Sequence, residues 1–153
     1  MTPEEQLAAN GRTLPEAPQP VGSYVPCVQV GDMLYVSGQL PMKEGRLIAT
    51  GKVDGEVPTE QAREAAIQSV LNALAQVAAH AGGLSHVARV VRLGVFVSSS
   101  PGFTGQSGIA NAASDLLYEI FGEVGRHARA AVGVSELPMN APVEIDLIVQ
   151  LHP

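Results

Sequence analysis

Two residues stand out as chemically useful. Arg129 heads the run ARAAVGV, and Glu144 lies inside VEIDLIVQL. Both runs are otherwise small and apolar, and burying a charge in such a setting is costly unless something compensates it. A guanidinium offers a planar fork that grips a carboxylate bidentately, which a lysine cannot match. A carboxylate nearby orients water or shuttles a proton. The stretch Gly125 to Leu151 reads as two neighbouring strands joined by a proline-containing turn, with Arg129 facing Glu144 and both presented to a small carboxylic acid.

The other reactive side chains carry less. Ser37 closes an apolar strand with no evident base, so a serine nucleophile is not expected. His127, two residues before Arg129, has no acidic partner at a telling spacing and reads as a surface or hydrogen-bonded histidine. Arg126 is placed to widen the positive field at a cleft mouth. His80, His86 and His152 are scattered, and no pair has metal-ligand spacing. Cys27 reads as a small apolar residue. The bland alternatives for the leading pair are a salt bridge from Arg129 to Glu144 or Glu123, and a Glu144 that only holds Arg129 in place.

These residues need a scaffold. At 153 residues the chain fits one domain, residues 1–153, with residues 1–20 an N-terminal helix and extended arm. Only 16% of residues are charged against 46% hydrophobic, which leaves apolar surface that an oligomer would cover. A net charge of −6 argues against nucleic acid, whose affinity comes from Lys and Arg at phosphates. No apolar run is long enough to span a bilayer, and the acidic N-terminus lacks a signal-peptide core. A cytoplasmic protein with no membrane partner is expected. One cysteine excludes an internal disulfide, and neither metal nor cofactor is expected.

Periodicity supplies the elements. Thr2 caps a short helix over Pro3–Asn10 that Gly11 stops. A proline-rich arm follows and contains Tyr24. Val28–Val30 and Met33–Ser37 form a hairpin about Gly31-Asp32. Gly38 reads as a bulge or a close approach to the backbone. Arg46–Thr50 is a possible third strand. Ala62, Ala66, Val70, Leu74 and Val77 mark a long helix that begins at an N-capping Thr59 and ends at Gly82-Gly83. Then come a strand over Val87–Ser98, a second helix from Thr104 to Phe121, and strands near Arg129–Ser135 and Val143–Leu151. The order β-β-β-α-β-α-β-β predicts an α+β domain: one mixed sheet with two helices on one face. The uncovered face suggests three subunits meeting through their sheets.

The segments VGSYVPCVQVGDMLYVSGQLP, RVVRLGVFVSS, ARAAVGVSELP and VEIDLIVQL resemble the RidA/YjgF family, also labelled L-PSP endoribonuclease-like, over about Val21 to Leu151. The resemblance implies a chorismate-mutase-like fold, a homotrimer and clefts between subunits. It also implies hydrolysis of reactive imines and enamines, made from amino acids by PLP enzymes, to 2-keto acids and ammonia. On that reading Arg129 binds the substrate carboxylate and Glu144 is the acidic cleft residue. Ser37, Gly38 and Tyr24 fall on further cleft positions, with backbone near Gly38 and Ala131 binding the imine nitrogen or a water. Three features depart from the family pattern: Ala131 stands where well-studied members carry a cysteine, the segment before Arg129 is shorter, and the N-terminal arm is longer than in the shorter members. Asn111 is the candidate for an asparagine expected on the second long helix. Two other functions compete with the deaminase: a non-catalytic or chaperone-like binder of small carboxylates, and an endoribonuclease. The last lacks a readable His/His or His/Lys pair.

Overall fold

A computed structural model describes all 153 residues. Helix α1 spans Pro3–Ala9, and the strands β1 and β2 span Cys27–Val30 and Met33–Gln39. A small ribbon follows, β3 over Met42–Lys43 and β4 over Arg46–Leu47. Then come α2 (Thr59–Ala81), β5 (Val87–Ser98), α3 (Gln106–Phe121), β6 (Ala128–Val134) and β7 (Val143–Leu151). The main sheet runs β1-β2-β7-β5-β6, antiparallel except for the β5–β6 pair. A parallel pair needs a crossover, and α3 supplies it.

Burial in β7 alternates without a break from Val143 to Leu151, the signature of a strand with one covered face. The covered side holds Leu34, Val36, Leu93, Val95, Val97, Ile145, Leu147 and Val149, all within the main core. Against it lie α2, through Ala62, Ala66, Val70, Leu74 and Val77, and α3, through Ile109, Ala113, Leu116 and Leu117. The predominance of Ala and Val on α2 lets its axis approach the sheet closely. The opposite face carries Val28, Val30, Tyr35 and Val132, between 45% and 64% exposed.

Four expectations are corrected. The third strand does not join the sheet: Arg46–Leu47 pairs only with Met42–Lys43, as a separate ribbon. Pro58, with no side-chain cap, precedes α2, and Thr59 is its first residue. Helix α3 starts at Gln106 rather than Thr104, with Gly105 as its N-cap residue and no side-chain cap. Most consequentially, β6 and β7 are not neighbours, since the twelve-residue β5 lies between them.

The N-terminal segment is anchored along its length. Thr2 Oγ1 accepts from Glu5 N (3.1 Å) and Thr2 N donates to Glu5 Oε2 (2.8 Å), a reciprocal cap that closes the first turn of α1. Leu7 is buried, and Glu4 Oε1 accepts from Leu84 N (2.7 Å). Gln76 on α2 donates to Pro18 O (2.6 Å), fixing the extended arm.

Candidate functional site

Arg129 lies in register with the fully buried Leu93 and therefore faces the helices. Glu144 alternates with Val143 and Ile145, both fully buried, and faces the other way, beside Phe96. Within one protomer the two groups occupy opposite faces of the sheet with β5 between their strands. The expected face-to-face pair is thus not formed. The protomer's ion pairs join Arg12 to Glu64, Lys52 to Glu136, Arg92 to Asp146 and Arg126 to Glu123, and they leave both Arg129 and Glu144 without an ionic partner.

Glu144 is built in from β2. The register slips between Val36 and Gln39, and a Cβ on Gly38 would sit 2.1 Å from Glu144 Oε2. Gly38 therefore serves both needs expected of it, a bulge and a close approach. Burial raises the Glu144 carboxyl above its ordinary range, and the negative charge of Asp146 adds to the rise. Asp146 is itself held over Gly94 and paired with Arg92 at 3.4 Å.

The backbone about Gly38 is pinned by polar groups. Ser37 Oγ donates to Val25 O (2.7 Å) and Ser37 N to Pro26 O (2.9 Å), so the serine ties the arm to β2. Gln39 Nε2 donates to Ser37 O (3.0 Å), and the fully buried Asn72 donates to Leu40 O and Met42 O. Tyr24, carried by the tied arm and 46% exposed, shares with Gly38 the wall of a small pocket of about 40 Å³. A concavity of about 800 Å³ lies elsewhere, between the arm, the β3–β4 turn and α2. None of the expected site residues lines it.

The second group of candidate residues is held by α3 and β6. Arg129 Nη1 donates to Asn111 Oδ1 (2.8 Å) and to Ser114 Oγ (3.2 Å), one helical turn apart on α3. Ser114 Oγ also lies 2.8 Å from His127 Nε2, whose Nδ1 is 2.7 Å from Gly125 O. His127 is accordingly a hydrogen-bonded histidine inside the site. Ala131 shares the helix-facing side with Arg129, in register with Val95, and packs against the core. Arg126 turns away toward the end of α3, stacked 4.0 Å over the Tyr118 ring and paired with Glu123 at 3.3 Å, so it adds no free charge to a cleft. Sequence reasoning missed Ser114 and the Arg92–Asp146 pair. For Ser114 the available signal was its place three residues after Asn111.

A family model described as "YjgF/chorismate_mutase-like, putative endoribonuclease" matches residues 4–151. The chain belongs to the YjgF/chorismate mutase-like family. Among its YjgF relatives, Protein TCP17 of Trypanosoma cruzi is 46% identical over 152 residues, covering 96% of this chain and 95% of the relative. A 2-iminobutanoate/2-iminopropanoate deaminase of Dermatophagoides farinae is 37% identical over 138 residues, covering 90% and 93%. The crystal structure of a protein of unknown function from Agrobacterium tumefaciens superposes with a TM-score of 0.91 at 46% identity, over 98% of this chain and 92% of that one. The YjgF fold is the chorismate-mutase-like α+β arrangement described above.

Proposed function

We propose that the protein hydrolyses 2-imino and 2-enamino acids to 2-keto acids and ammonia, in a cleft completed between copies of the chain. The observation that carries this reading is Arg129: a guanidinium held at one nitrogen by α3, with no anion of its own protomer to pair with. The fork suits a substrate carboxylate, and holding that group fixes the adjacent C=N carbon in place. Water adds to that carbon, a proton moves from the attacking water to nitrogen, and ammonia leaves as the C=O bond forms. Glu144 takes the proton and returns it, a role favoured by a carboxyl that burial lifts above its ordinary range. A YjgF relative bearing the deaminase name supports the same chemistry.

The opposed faces of Arg129 and Glu144 support a cleft in which one copy brings the clamp and another the acid. The exposed Val28, Val30, Tyr35 and Val132 are the surface through which copies would meet, and a homotrimer is the assembly proposed. Imines hydrolyse readily in water, so the task is modest: about 4 kcal/mol of barrier lowering gives roughly a thousandfold.

The deciding experiment follows keto-acid release from 2-iminopropanoate generated in situ. Wild type is expected to accelerate it and Arg129→Ala to abolish the acceleration with assembly intact. No acceleration over buffer across several imino acids would overturn the proposal. If Glu144→Gln keeps both keto-acid binding and turnover, the acid has no part in the chemistry. If wild type binds without any turnover, the non-catalytic carboxylate binder replaces the deaminase.

A further inference from the structure

With His127 neutral, the hydrogen bonds behind Arg129 have only one consistent direction. Gly125 O only accepts, so the 2.7 Å contact requires the proton on His127 Nδ1. In the neutral ring Nε2 is then a bare acceptor, and Ser114 must donate its single hydroxyl proton to it across 2.8 Å. The lone pairs of Ser114 Oγ remain, and Arg129, which has no acceptor, donates into them. The same Nη1 donates its other hydrogen to Asn111 Oδ1. Both hydrogens of Nη1 are therefore committed inside the protomer, while those of Nε and Nη2 are not.

We propose that His127, acting through Ser114, is a positioning residue for the carboxylate clamp, and that it leaves the Nε–Nη2 edge of Arg129 to grip the ligand side-on. The inference rests on the carboxylate reading of Arg129 and deepens it. A guanidinium forms a bidentate pair either end-on, through Nη1 and Nη2, or side-on, through Nε and Nη2. With Nη1 engaged twice, only the second is open. The histidine contributes by fixing which way the serine hydroxyl points. Without the Nε2 acceptor that hydroxyl is free to turn its proton toward Arg129, which repels the donor it should receive. Backbone placement supports the arrangement: Gly125 is buried against the end of α3, where a Cβ would lie 2.3 Å from Leu117 O. The carbonyl that orders the histidine is therefore rigidly located.

Two measurements test the proposal. The first needs no ligand: nitrogen-15 NMR of the histidine rings, assigned through His127→Gln, reads the tautomer directly. Neutral His127 is expected with its proton on Nδ1, and Ser114→Ala is expected to shift its Nε2 resonance by removing the hydrogen bond donated to that atom. A wild-type ring protonated on Nε2 would overturn the relay. The second is calorimetric titration with pyruvate as a 2-keto acid probe. Ser114→Ala and His127→Ala are expected to weaken binding about three- to tenfold, as loss of one oriented hydrogen bond allows. In turnover they should raise KM with kcat nearly unchanged, while His127→Gln, whose Oε1 accepts from Ser114, restores part of the loss. If Arg129→Ala abolishes binding but both of these variants bind as wild type does, the positioning role is refuted and the clamp stands. If wild type itself binds no pyruvate, the carboxylate reading has failed. Side-on presentation then fails with it, whatever the tautomer.

Discussion

Glu144 and Arg129 are both charged groups without ionic partners in the protomer, yet removing them should have different effects. The half-buried Glu144 carboxyl keeps its proton to higher pH in the folded chain than in the unfolded one. Ionising it therefore costs stability, a cost absent below the ordinary carboxylate range and fully present above the raised value. Glu144→Gln should raise the thermal midpoint at neutral pH, and the gain should fade as the pH falls through that window, as calorimetry at several pH values will show. The same change should lower turnover. Arg129→Ala should instead remove the whole acceleration, about a thousandfold or about 4 kcal/mol in kcat/KM, because the clamp acts on the ligand. Gly38→Ala separates site from fold in another way. Its Cβ meets the flexible end of Glu144, so the carboxylate must swing aside. Activity should fall severalfold or more, while the unfolding free energy changes by less than about 1 kcal/mol.

At the level of elements, the turn between α3 and β6 is the least forgiving place. A Cβ on Gly125 would lie 2.3 Å from Leu117 O and 2.9 Å from its carbonyl carbon, both backbone atoms that cannot rotate away. Gly125→Ala should cost about 2–3 kcal/mol in urea unfolding, as overpacking does, and should disturb His127 and Arg129 downstream. Most elements were legible in the sequence because their signals are local: the alternation of VEIDLIVQL, the Ala/Val stripe of α2, the cap at Thr2. The place of β5 between β6 and β7 was not. Chain proximity favoured a hairpin, whereas the crossover through α3 sends β6 to the sheet edge. The site was legible to the same degree. Arg129 and Glu144 betrayed themselves as charges on apolar runs, but Ser114 is an ordinary helix residue until a distant strand brings Arg129 to it. Arg46–Leu47 failed as a sheet strand because its glycine-rich surroundings bend it back on Met42–Lys43.

For the whole molecule, the sheet face bearing Val28, Val30, Tyr35 and Val132 is the feature with the widest consequences. Val28 and Tyr35 are cross-strand partners on that face. Tyr35→Glu would place a charge on it, where desolvation would oppose the proposed association. The expected outcome is a smaller species by light scattering, with unchanged far-ultraviolet circular dichroism and lost turnover, since the sheet's other face holds the folded core. Retained assembly in that variant would point to a different contact surface.

In the proposed cleft, the placement of Arg129 and Glu144 on opposite faces of one sheet would divide the two tasks between gene copies. A chain lacking the clamp still carries a good acid, and a chain lacking the acid still carries a good clamp. Arg129→Ala and Glu144→Gln proteins, each impaired alone, should therefore complement one another when refolded together. In randomly mixed rings roughly a quarter of the clefts would receive both intact groups. Defects at the two positions would thus behave as recessive and mutually rescuing, as no site contained within a single chain could do.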